Sequence, residues 1–70
     1  MSLIPVDSSD LAAVGYDDWR GVLVIAFHSG GLYQYTGVPP SEYHGLLSAE
    51  SHGRYFHMQI RNRYPYRRLE

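Results

Sequence analysis

Neither cysteine nor lysine occurs in this chain of 70 residues. Without cysteine there is no disulfide to cross-link a small fold and no thiolate to hold a zinc ion. No stretch approaches the roughly 20 apolar residues of a membrane span. The opening Met1-Ser2-Leu3-Ile4-Pro5 has no basic segment and no long apolar run, so no signal peptide is expected. These absences together predict a cytoplasmic protein with no membrane association. The lack of lysine means that all six basic residues are arginine, the side chain suited to bidentate or stacked contacts with phosphate and carboxylate.

A chain this short buries only about 60% of the surface its unfolded form exposes. With no covalent staple, stability must come from packed side chains. Seven tyrosines, two phenylalanines and one tryptophan supply large buried areas with few rotatable bonds. Residues 1–70 read as one domain, and the closing Leu69-Glu70 reads as a cloning remnant, set aside from functional reasoning.

The net charge of −1 conceals a partition. Residues 1–50 carry Asp7, Asp10, Asp17, Asp18, Glu42 and Glu50 against Arg20 alone, a net −5. Residues 51–70 carry Arg54, Arg61, Arg63, Arg67 and Arg68 against Glu70, a net +4. Two readings are open: the basic end faces an anionic partner, or the two halves neutralise one another within the fold.

Along the chain, an N-terminal arm with a short edge strand precedes a regular pattern. Leu11–Tyr16 is a strand candidate, and Asp17-Asp18-Trp19-Arg20-Gly21 has turn chemistry. Val22–His28 is the clearest strand, rich in β-branched residues. Ser29-Gly30-Gly31 signals a hairpin, and Leu32–Thr36 pairs back with Tyr33 and Tyr35 on one face. Pro39-Pro40-Ser41-Glu42 then opens a helix, with Tyr43, Leu46 and Leu47 as its apolar stripe. Ser51 is a good N-cap for a second helix whose stripe is Tyr55, Phe56 and Ile60, and Gly53 invites close packing there. Tyr64-Pro65-Tyr66-Arg67-Arg68 is extended, because a residue before proline disfavours helix.

These pieces, in this order, resemble the KTSC family. The resemblance rests on Tyr33-Gln34-Tyr35, on Ser51-His52-Gly53-Arg54-Tyr55-Phe56, and on Ile60-Arg61-Asn62-Arg63-Tyr64-Pro65-Tyr66. Asp7-Ser8-Ser9, Val14-Gly15-Tyr16 and Gly37-Val38-Pro39 also fit, so residues 6–68 are covered. One departure is His57, where the family pattern leads one to expect asparagine after the aromatic pair. The family takes its name from the C-terminus of some lysyl-tRNA synthetases and also occurs as free-standing small bacterial proteins. The resemblance therefore implies RNA or tRNA as a partner.

The best candidate interface is the C-terminal run Arg61, Arg63, Tyr64, Tyr66, Arg67 and Arg68, joined by Arg54 and by Tyr33 and Tyr35. Guanidinium groups neutralise phosphates while tyrosine rings stack on unpaired bases. Against this, the pI of about 6.4 is low for a nucleic-acid-binding domain, and Tyr33 and Tyr35 would serve equally well packed beneath a helix. Trp19, set among charges in a turn, is the candidate anchor for a protein partner or for self-association, or else it folds back over the core. His28, His44, His52 and His57 lack the spacing of a metal site, and His52 and His57 should face different sides of their helix. No nucleophile elbow or phosphate loop is present, and Ser41 and Ser51 are assigned to helix starts.

The expected fold is thus α+β: a three-stranded antiparallel meander over Leu11–Thr36, helices over Pro40–Ala49 and Ser51–Arg61, and a C-terminal extended segment or strand over Tyr64–Arg68. Its core should include Val14, Leu23, Ile25, Phe27, Leu46, Leu47, Phe56 and Ile60. The expected function is a small non-enzymatic binding module without cofactor or metal. It would bind RNA through the Arg/Tyr patch or, alternatively, a protein or second copy of itself through Trp19 or a sheet edge.

Overall fold

The computed structural model describes residues 2–70 and shows a five-stranded antiparallel sheet with helices on one face. The strands are β1 (Ile4–Pro5), β2 (Leu11–Asp17), β3 (Val22–Phe27), β4 (Leu32–Tyr35) and β5 (Tyr66–Arg68), lying side by side in chain order. Between β4 and β5 run α1 (Pro40–Ser48), α2 (His52–Tyr55) and a π-helical segment, Phe56–Ile60, that continues α2. The α+β class is as the sequence indicates. The sheet is larger than the meander alone, because the N-terminal arm and the C-terminal segment each add a strand at an edge.

Alternation along β3 explains the layering. Leu23 and Ile25 point toward the helices and are fully buried, while Val22, Val24 and Ala26 face the other side, opposite small β2 residues such as Ala13 and Gly15. A bulge between Leu11 and Ala13 resets β2, so that both Leu11 and Val14 enter the core. The β3–β4 turn closes with Phe27 and Gly31 paired, and Gly30 and Gly31 both adopt the positive φ that glycine accepts without strain. Leu69 and Glu70 extend the β4–β5 ladder: Leu69 N–H donates to the Leu32 carbonyl, and Leu32 N–H to that of Glu70.

The core consists of Leu11, Val14, Leu23, Ile25, Tyr35, Val38, Leu46, Phe56 and Ile60. Two expected members are absent. Leu47 is 36% exposed, because α1 turns Leu46 inward and lays Tyr43 flat against Tyr16, with ring centroids 4.6 Å apart. Phe27 is half-buried at the margin, edge-on to Tyr33 and Phe56. Val38 was not expected to be buried. It is drawn in by two long-range hydrogen bonds, its N–H donating to the Gly21 carbonyl and its own carbonyl accepting from the Tyr16 hydroxyl.

The helices also differ in detail from expectation. Ser51 caps α2 as its residue type suggests, accepting the Arg54 N–H at 3.1 Å. Ser41 does not cap α1; Pro39 occupies that position without a side-chain bond. The second helix is α-helical for only four residues, then widens so that Arg61 N–H donates to the Phe56 carbonyl, five residues back. Such wide turns inside helices are frequent at functional sites.

The two helices meet at Gly45. A Cβ there would overlap the Tyr55 hydroxyl and stand 2.7 Å from its ring carbon Cζ. Gly45→Ala is therefore expected to destabilise the fold by about 1–3 kcal/mol, despite the gain in helix propensity. Denaturant unfolding checks this, and a midpoint unchanged or raised would show that Tyr55 is free to move.

Candidate nucleic-acid interface

The helices leave part of the sheet uncovered. Between the π-helical segment and the β4–β5 edge lies a cleft of about 370 Å³. Its floor is aromatic. Tyr35 pairs with Tyr66 in register and Tyr33 with Arg68, so alternation places all four side chains on the helix-bearing face. Phe56 packs edge-on against Phe27 and Tyr35, with centroids 5.3 and 5.5 Å away. Tyr66 lies 6.0 Å from Tyr33 and 5.9 Å from Tyr35, and it is 66% exposed. The Arg68 guanidinium sits 5.7 Å above the Tyr33 ring.

One wall carries a polar row. His57 Nε2 lies 2.7 Å from Asp10 Oδ2, and Arg61 NH1 approaches His57 Nδ1 at 3.5 Å. An ionised carboxylate only accepts, so Nε2 carries the proton in the Asp10 contact. Asp10 is held from several sides. Ser8 Oγ accepts the N–H groups of Asp10 and Leu11, the Asp10 carbonyl accepts from His28 N–H, and Gly53 leaves room for the Asp10 side chain to pack close. This pair joins positions 47 residues apart and has no local signature in the sequence.

Each candidate residue now has a place. Arg61, Tyr33, Tyr35 and Tyr66 line the cleft, and Arg68 lies beside it over Tyr33. Tyr35 is only 4% exposed and belongs to the core, so the open stacking surface is Tyr66 with part of Tyr33. Arg63 borders an adjoining depression that shares Arg61, Asn62 and Tyr66 with the cleft, and it donates to Gln59 Oε1 at 2.8 Å. Tyr64 is half-buried and donates its hydroxyl to Glu42 Oε2 at 2.9 Å, which makes it a structural tie rather than a free ring. Arg67 pairs with Gln34 on the opposite face, and Arg54 lies at the start of α2, away from the cleft. Trp19, at the β2–β3 turn, is 91% exposed and does not fold over the core; Asp17 Oδ1 accepts the Trp19 and Arg20 N–H groups and shapes the turn instead.

Among the described residues, no side chain of the acidic half forms an ion pair with a C-terminal arginine. Among the described residues the ion pairs are Arg20 with Asp17 and His57 with Asp10. Glu42 is occupied by two phenols, accepting from Tyr55 at 2.6 Å as well as from Tyr64. The other histidines have local tasks: His28 Nε2 lies 2.9 Å from the Ser8 carbonyl and His52 Nδ1 2.8 Å from that of Leu46. No group of three His, Asp or Glu side chains among the described residues could hold a metal, and no helix among them is long and apolar enough to cross a membrane.

Hydrogen bonding to Glu42 pushes the Tyr55 phenol up to about 12, and burial pushes Tyr35 up to about 12. Burial, aided by Glu42, raises Tyr64 as well.

Comparison with known proteins is consistent across sequence and structure. The model of the KTSC domain family matches residues 7–64. An uncharacterised protein of Stutzerimonas stutzeri is 38% identical over 71 residues, covering the whole of both chains. A lysine–tRNA ligase of Nostoc is 33% identical over 67 residues, which are 96% of this chain and 12% of that protein. The crystal structure of a KTSC domain protein from Yersinia pestis superposes with a TM-score of 0.96 at 36% identity, covering 99% of this chain and 97% of the other.

Two expectations follow from the site. Both folded and unfolded chains keep the Tyr35 and Tyr55 protons below pH 10; above it the unfolded chain releases them first. Stability should therefore fall as pH rises from 10 through about 12. Urea midpoints should drop across that range, and less steeply for Tyr55→Phe; an equal slope would remove Tyr55 from the explanation. Trp19→Ala should shift stability by no more than about 0.5 kcal/mol, as befits an exposed site. A larger loss on thermal unfolding would mean that Trp19 packs against the fold.

Proposed function

The chain belongs to the KTSC domain family, and from that premise we propose that it is a non-catalytic, cytoplasmic RNA-binding module that engages single-stranded or looped RNA. The observation that carries this reading is the placement of Arg61 and Arg68 beside the open rings of Tyr66 and Tyr33, with no carboxylate side chain paired to either arginine among the described residues. Cations around an aromatic surface suit unpaired nucleotides, whose bases can leave the stack and lie on a ring. A duplex would have no use for the rings. The relationship to a lysine–tRNA ligase supports the same direction, since that protein's name refers to tRNA.

A second reading has one observation in its favour. A tryptophan 91% exposed at a hairpin tip suits the centre of a protein interface. The two readings use opposite regions of the molecule and are separated by mutation.

Single-stranded RNA should bind with affinity that falls as salt rises. Arg61→Ala and Arg68→Ala should each weaken binding, and Arg68→Ala should flatten the logarithmic salt dependence by about 0.7 for each phosphate left without its cation. Tyr66→Ala should cost about 1–3 kcal/mol, and Trp19→Ala should change nothing. Fluorescence anisotropy with labelled RNA at two salt concentrations measures all four. Binding that survives removal of Arg61, Arg68 and Tyr66 would exclude the cleft from RNA recognition, whereas a protein partner that no longer binds Trp19→Ala would favour the second reading.

A further inference from the structure

We propose that the cleft seats one unpaired guanine nucleotide, stacked on Tyr66 and read along its edge by Asp10 and Arg61. This rests on the RNA-binding reading and names the base it selects. At about 370 Å³ the cleft is near the lower end of small-molecule pockets, roughly 300–1,000 Å³, which suits one base with its sugar. Stacking alone would accept any base. The wall adds direction, because His57 holds an anionic acceptor at one nitrogen and a cationic donor at the other.

Guanine alone among the four bases sets two adjacent donors, N1–H and the N2 amine, beside two acceptors, O6 and N7. The Asp10 carboxylate can take both donors. Each of its oxygens has two acceptor sites, and His57 uses one site on Oδ2. Arg61 spends one N–H toward His57 and has others to offer O6 and N7. Adenine and uracil alternate acceptors with donors, and cytosine offers its single donor at the end where the arginine would stand. Each would set an acceptor against a carboxylate or a donor against a guanidinium. His57 acts as a positioning residue that fixes the spacing between the two readers, and the π-helical turn presents His57 and Arg61 to the same cleft.

The experiment is an NMR titration of the full chain with GMP, AMP, CMP and UMP at low salt. GMP is expected to move the resonances of Asp10, Arg61 and Tyr66 and to bind about tenfold more tightly than the other three. Asp10→Asn, which keeps an oxygen for His57, should bring the four affinities together. Tyr66→Ala, at an exposed position, should abolish nucleotide binding with the circular dichroism spectrum unchanged. Four nucleotides that bind alike to the unmodified chain, or none that binds at millimolar concentration, overturns the guanine seat. If none binds but single-stranded RNA still shifts Arg61 and Tyr66, the seat falls and the RNA reading stands; if RNA also leaves them fixed, both fall.

Discussion

The Glu42 carboxylate fixes the arrangement on which the rest of the molecule depends. It stands on α1 and receives the Tyr55 hydroxyl from α2 at one oxygen and the Tyr64 hydroxyl, from the segment leading into β5, at the other. One acidic side chain thereby joins three stretches of chain that share no backbone ladder. Hydrogen bonds to a carboxylate contribute more than neutral ones, about 1.5–3 kcal/mol each by mutational series. In a domain with no disulfide, two such bonds are a large part of what orients the helices over the sheet. The Tyr64 bond also anchors the chain just before β5, whose ladder with β4 places Tyr66 and Arg68.

That arrangement explains why the charge partition survives folding. Glu42 accepts from two tyrosines, and Asp10 pairs with His57. Arg61 and Arg68 approach an imidazole nitrogen, the main-chain oxygen of Glu70 and a ring face. The π-helical segment reaches β4 through Phe56 against Tyr35 and leaves Tyr66 on β5 exposed, with Arg68 over the neighbouring Tyr33 ring. A protein of slightly acidic overall character thus carries a local basic and aromatic surface.

Much of this was legible in the sequence, and the parts that were not share a cause. β-branched residues in Val22–Phe27, the glycine pair after it and the Ser51 cap are local signals, and each element stands where its residues place it. The KTSC resemblance likewise rests on local strings. What sequence could not reveal depends on partners far along the chain. Tyr64 reads as a stacking ring until Glu42, 22 residues earlier, takes its hydroxyl. Leu47 fits the apolar stripe of α1 as well as Leu46 does, and only the seating of Tyr43 on Tyr16 decides which is buried. His57 looks like an isolated departure until the bulged start of β2 brings Asp10 to it. The switch from α- to π-helical turn after Tyr55 likewise has no sequence signal that composition or periodicity would pick up.

The central claim is that the cleft between the π-helical segment and β5 is where RNA meets this domain. Intermolecular nuclear Overhauser effects between the protein and a short single-stranded RNA test it most directly, because they report proximity rather than affinity. The expected result is a set of base-proton contacts to the rings of Tyr66 and Tyr33 and to the Arg61 side chain, with sugar or phosphate-proximal contacts to the Arg68 side chain. Contacts confined to the Trp19 turn or to the Val24 face of the sheet would contradict it.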